Sequence, residues 1–89
     1  MVKHIVVWRL KDFAEGRRKE ENAILMKSML EDLKNKIDFV KNLEVGINLL
    51  KSDAALDVVL YSEFETKEDL DTYMKHPEHL KVVEFINKT

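Results

Sequence analysis

Apolar and polar residues alternate with a period of two at the start of the chain. Val2, His4, Val6, Trp8 and Leu10 fall on one side, and Lys3, Ile5, Val7 and Arg9 on the other. Such alternation, in a stretch rich in β-branched side chains, predicts a strand over residues 2–10. Both sides have apolar middles, so both faces of this strand require cover. A chain of 89 residues can set its own helices against one face. The other face points to a second subunit.

The period then changes. From Arg17 to Ile37 the apolar positions Ile24, Met26, Met29, Leu30, Leu33 and Ile37 recur near helical spacing, and Lys19, Glu20, Lys27, Glu31, Asp32, Lys34 and Lys36 fill the rest. This predicts a long amphipathic helix with a solvated face on which Asp32 and Lys36 support each other at a spacing of four. Residues 11–16, polar and containing Gly16, read as the connecting loop. Leu43, Val45, Ile47 and Leu49 alternate with Glu44, Gly46 and Asn48, and Leu56–Phe64 alternates again after Lys51-Ser52-Asp53. The pair predicts an antiparallel hairpin with its turn at those three residues. Thr66 followed by Asp69 resembles a capping box, opening a helix with apolar Leu70, Tyr73 and Met74. Pro77 ends that helix and suits the first position of another, in which Leu80, Val82, Val83, Phe85 and Ile86 are apolar.

The element order, strand, helix, strand, strand, helix, helix, without internal repeat or linker, is an α+β pattern of the split βαβ, ferredoxin-like kind in one domain over residues 1–89. Such a unit normally ends in a fourth strand, whereas this sequence ends at Thr89 within a helical pattern.

Composition narrows the functional classes. With 15 Lys and Arg against 17 Asp and Glu, the net charge of −2 provides no basic field for nucleic acid or an anionic membrane. The absence of Cys excludes disulfides, thiol nucleophiles and thiolate metal sites, and fits a reducing compartment. No apolar run reaches 18 residues, and Met1-Val2-Lys3-His4 leads into a strand without a cleavage signal, so a cytoplasmic location is expected. Gly16 and Gly46 stand alone, which leaves no phosphate-cradling loop, and there is no Gly-x-Ser-x-Gly turn.

Candidate chemistry gathers around the single Pro, in His76-Pro77-Glu78-His79 with Tyr73 three residues upstream. On a helix turned at Pro77, Tyr73 and His79 can meet and face the sheet, where His4 stands on the first strand. An imidazole beside a phenol suits general acid/base work on a carbonyl compound. A structural reading stands beside it: His76 as a helix cap, Tyr73 as a core aromatic with its hydroxyl at the rim, His4 as a hydrogen-bonded core residue. His76 and His79, with His4 or Glu78 as a third group, lack the spacing of a zinc motif, so neither metal nor cofactor is expected.

Three segments, Val2-Lys3-His4-Ile5-Val6, Leu43-Glu44-Val45-Gly46 and Tyr73-Met74-Lys75-His76-Pro77-Glu78-His79, together resemble the stress-responsive A/B barrel (Dabb) domain, and the likeness extends over essentially the whole chain. The resemblance implies a homodimer in which two ferredoxin-like protomers pack sheet to sheet into a dimeric α+β barrel with helices outside. Ile5, Val7, Val59 and Tyr61 would then meet the partner sheet. It also implies a small-molecule pocket on the helix side, with Tyr73 and His79 as a cofactor-free acid/base pair, as in a plant cyclase of the family. His4, Val6, Trp8, Met26, Leu30, Leu60, His76 and Val82 would surround that pocket. Met26 and Leu30 make its helical wall aliphatic where the cyclase has aromatics, and the family's C-terminal strand would follow Thr89. Three readings stand open at this point: a dimeric barrel binding a small organic ligand, with or without acid/base catalysis; a non-catalytic structural or interaction protein; and a monooxygenase of the related dimeric-barrel kind.

Overall fold

The computed structural model describes residues 1–48 and 57–89. In chain order the elements are β1 (Val2–Trp8), a small hairpin of β2 (Phe13–Ala14) and β3 (Arg17–Arg18), α1 (Lys19–Lys36), β4 (Val40–Ile47), β5 (Val58–Phe64), α2 (Lys67–Lys75) and α3 (Pro77–Lys88). Among the described residues the main sheet has three strands in the order β1-β5-β4. Both pairings are antiparallel: β1 with β5 from Val2↔Phe64 to Trp8↔Val58, and β4 with β5 from Val40↔Phe64 to Ile47↔Val58, with a bulge between Val40 and Asn42. The expected turn at Lys51-Ser52-Asp53 and the strand ends at Leu49 and Leu56 lie outside the described residues.

Alternation sends one set of side chains to each face of the sheet. Val58, Leu60, Ser62 and Phe64 of the central strand are buried on the helix side, joined by Leu43 and Val45 of β4 and the partly buried Val2, Val6 and Trp8 of β1. Against them α1 lays Ala23, Met26, Leu30 and Leu33, α2 contributes Tyr73, and α3 contributes Val82. Among the described residues no helix covers the opposite face: Ile5 is 63% exposed, Val7 46% and Val59 38%.

Several expectations are corrected. The helix begins at Lys19, not Arg17, because Arg17 and Arg18 are spent on β3, which pairs Phe13↔Arg18 and Ala14↔Arg17. The intervening Glu15 and Gly16 have φ of 53° and 74°, the two left-handed residues that a tight primed turn demands. Ile24 does not join the buried face of α1 but is 63% exposed; the inward position two residues earlier belongs to Asn22. That amide is buried because it is fully engaged: Nδ2 donates to the Ala14 and Arg17 carbonyls at 3.0 and 3.5 Å, and Oδ1 accepts from Arg17 Nε at 2.9 Å. A polar residue at the head of the stripe thus displaces the apolar reading of that turn. Met74 and Leu80, on either side of the Pro77 corner, are 41% and 52% exposed rather than inward. The first strand stops at Trp8, and β4 starts three residues before Leu43, at Val40. Beyond Trp8, the Leu10 amide turns to the Asp57 carboxylate at 2.7 Å, and Lys19 Nζ stands 3.5 Å from the other oxygen of that group. Asp57 therefore ties the end of β1 and the start of α1 to the entry of β5.

Candidate active site

The site is built around a corner between two helices. Thr66 opens α2 by accepting the Asp69 amide on its hydroxyl at 3.1 Å, satisfying one of the free N–H groups at the helix start. The helix ends because His76 precedes a proline, and a residue in that position is forced out of helical geometry; its φ and ψ are −64° and 136°. The same residue then starts α3. His76 Nδ1 accepts the Glu78 amide at 3.1 Å, and Pro77 occupies the first turn, where its missing N–H costs nothing. One turn of α3 later, His79 folds back onto Tyr73, with ring centroids 4.5 Å apart and planes at 49°. Phe64, at the end of the central strand, also meets Tyr73, with ring centroids 5.0 Å apart. The three rings run from the sheet to the helix corner at separations usual for interacting aromatic pairs.

Hydrogen bonding fixes the state of His79. Its Nδ1 lies 3.2 Å from the Met74 carbonyl, and a carbonyl can only accept. The neutral ring therefore carries its proton on Nδ1 and keeps its lone pair on Nε2. Burial pushes the His79 pKa below its ordinary 6.5, opposed by the Met74 carbonyl and reinforced by the charges that His4 and His76 would carry. Burial lowers His4 in the same direction. Tyr73 is wholly enclosed, and burial pushes its phenol up to about 12. Among the described residues its Oη is the one buried side-chain polar atom with no hydrogen-bond partner. Near neutral pH the pair thus consists of a neutral imidazole able to take a proton and a phenol that holds its own and can donate a hydrogen bond.

The remaining predicted residues fall into two groups. Met26, Leu30, Leu60 and Val82 belong to one core with Tyr73, and Val6 and Trp8 pack against it. His4 is partly buried on the same side of β1, paired with Ser62, whose hydroxyl donates to the His4 carbonyl at 3.3 Å. His76, by contrast, is taken up as the α3 cap. The space between helices and sheet is filled: Met26 and Tyr73 are 0% exposed, Leu30 1% and Leu60 2%. Two surface clefts lie elsewhere. One of about 390 Å³ is bordered by Glu15, Arg17, Lys81 and Phe85; the other, about 540 Å³ between α1 and α3, reaches one candidate residue, Val82. No group of three His, Asp or Glu among the described residues is placed to hold a metal ion. Phe64 and the Met74 carbonyl were not foreseen. The inward parity of Phe64 along β5 was the available signal for the first, while a backbone acceptor leaves no mark in the side-chain sequence.

An antiparallel sheet with its main helices on one face and this strand order is a ferredoxin-like α+β architecture. The chain belongs to the stress-responsive A/B barrel domain family, whose model matches residues 2–89. A stress-response A/B barrel domain-containing protein of Arabidopsis thaliana is 31% identical over 86 residues; the match takes in 93% of this chain and 30% of that protein, so the chain spans under a third of its relative's length. Among solved structures, a dimeric protein of unknown function and ferredoxin-like fold from Bacteroides fragilis is 32% identical with a TM-score of 0.76, over 96% of this chain and 82% of that one. The hydroxynitrile lyase of Passiflora edulis shares the fold at a TM-score of 0.70 and 17% identity, over 92% of this chain and 76% of its own. Among the described residues no helix is long and apolar enough to cross a membrane.

Proposed function

We propose that the protein works as a homodimer packed through the outer faces of its sheets, and that each protomer carries a cofactor-free acid/base site for a small carbonyl compound at Tyr73 and His79. The observation that carries the site is the enclosed Tyr73 hydroxyl without a partner, in ring contact with His79. Buried hydroxyls are almost always satisfied, and a carbonyl or enolate oxygen is the acceptor this one can serve. His79 Nε2 takes a proton from the carbon next to that carbonyl, and Tyr73 Oη donates a hydrogen bond to the oxygen on which negative charge grows. Its high pKa keeps it a donor and not a competing base. Positioned general bases contribute roughly 10²–10⁴ in rate. The bare apolar face of the sheet and the dimeric relative at 32% identity support the homodimer.

A set of small aldehydes, ketones and phenols, followed through the ring NMR signals of Tyr73 and His79, tests the site. A carbonyl compound is expected to shift both rings, with the response lost in Tyr73→Phe. No response at millimolar concentration would contradict the reading. The filled interior favours a second one, in which the barrel is a solid assembly module without turnover, and that negative result would be its signature.

A further inference from the structure

Gly46 is left unexplained by its own protomer. It lies inside β4, where glycine weakens a strand and a β-branched residue would be favoured. Its φ is not positive, unlike that of Gly16, whose 74° accounts for its identity in the turn. A Cβ placed on Gly46 meets no heavy atom within 4 Å among the described residues. Among the described residues neither backbone conformation nor packing calls for the missing side chain.

The register shows what surrounds this gap. Across the outer face, Val7, Val59 and Gly46 form one row, Ile5, Tyr61 and Glu44 the next, and Lys3, Glu63 and Asn42 the third. The first row is apolar and dips at Gly46, and Ile5 in the second, 63% exposed, is its most prominent aliphatic. At the other end Lys3 stands in register with the acidic Glu63, and Glu44 lies in the second row on β4. A surface that holds a knob, a socket and both signs of charge can complement a rotated copy of itself, which is the requirement of a two-fold interface.

Building on the homodimer proposed above, we infer that Gly46 is the socket of that interface and that it receives an aliphatic side chain, foremost Ile5, from the sheet of a second copy of this chain. Sedimentation equilibrium and thermal unfolding of the wild type, Gly46→Val, Gly46→Ala and Ile5→Ala test it. The wild type is expected to dimerise, and Gly46→Val to weaken dimerisation at least tenfold, with Gly46→Ala between them. At dilutions where both are monomeric, Gly46→Val should unfold no lower than the wild type, since the protomer has room for the side chain. Ile5→Ala should also weaken the dimer, and the effect of Gly46→Ala should shrink in its presence. Dimerisation of both Gly46 variants within twofold of a dimeric wild type would overturn the socket alone. A wild type monomeric at every concentration would overturn the homodimer itself and the socket with it.

Discussion

Tyr73 and His79 divide between them a cost and a capacity. An enclosed hydroxyl without a partner destabilises the fold by about 1–3 kcal/mol, so Tyr73→Phe is expected to raise the stability of the ligand-free protein by about 1 kcal/mol in urea unfolding. A loss of similar size would mean that the hydroxyl is satisfied. The histidines make stability depend on pH in a definite direction. Burial holds His79 and His4 below 6.5 in the fold, so the unfolded chain takes up protons first as pH falls, and stability that is full above 6.5 declines below it. Urea midpoints between pH 7.5 and 5 should fall towards acid, with a shallower slope in His79→Gln; a midpoint that rises towards acid would contradict this. The Tyr73–His79 meeting was legible in the sequence because it is local: a proline corner brings two residues six apart onto one side. Phe64 was harder to see because it arrives from the sheet, and Met74 because it contributes a backbone atom.

Short elements are held by polar groups more than by apolar burial. The β2–β3 hairpin is attached to α1 by the three hydrogen bonds of Asn22. Asn22→Leu, similar in size, leaves two carbonyls and a guanidinium nitrogen unmatched and should cost about 1–3 kcal/mol in denaturant unfolding; an unchanged stability would show that the hairpin is dispensable. At the Pro77 corner the cap is a histidine, and His76→Ala should cost about 1 kcal/mol while His76→Asp restores it. Amide exchange at Glu78 reads that outcome, and equal protection in all three proteins would remove the cap from the account. Periodicity found β1, α1, β4, β5 and both later helices, because each is long enough to repeat. Two-residue strands fall below any period, and Asn22, a polar side chain facing inward, breaks the pattern where the helix begins.

At the scale of the whole molecule, the two-faced first strand already marked the outer sheet surface as unfinished. Ile5, Val7 and Val59 remain uncovered once all the described helices are in place on the other side. What one strand could not show was the shape of that surface, which depends on the β4–β5 register and places Gly46 in the same row as Val59 and Val7. In the proposed homodimer, burial of this face across a two-fold axis would give the protomer a second apolar contact without a second core, and would leave the Tyr73–His79 corner on the helix side of each sheet. Light scattering on the wild-type protein at micromolar concentration tests this most directly. A mass of about twice the 10.5 kDa of one chain is the predicted result, and a mass of one chain that persists as concentration rises would contradict it.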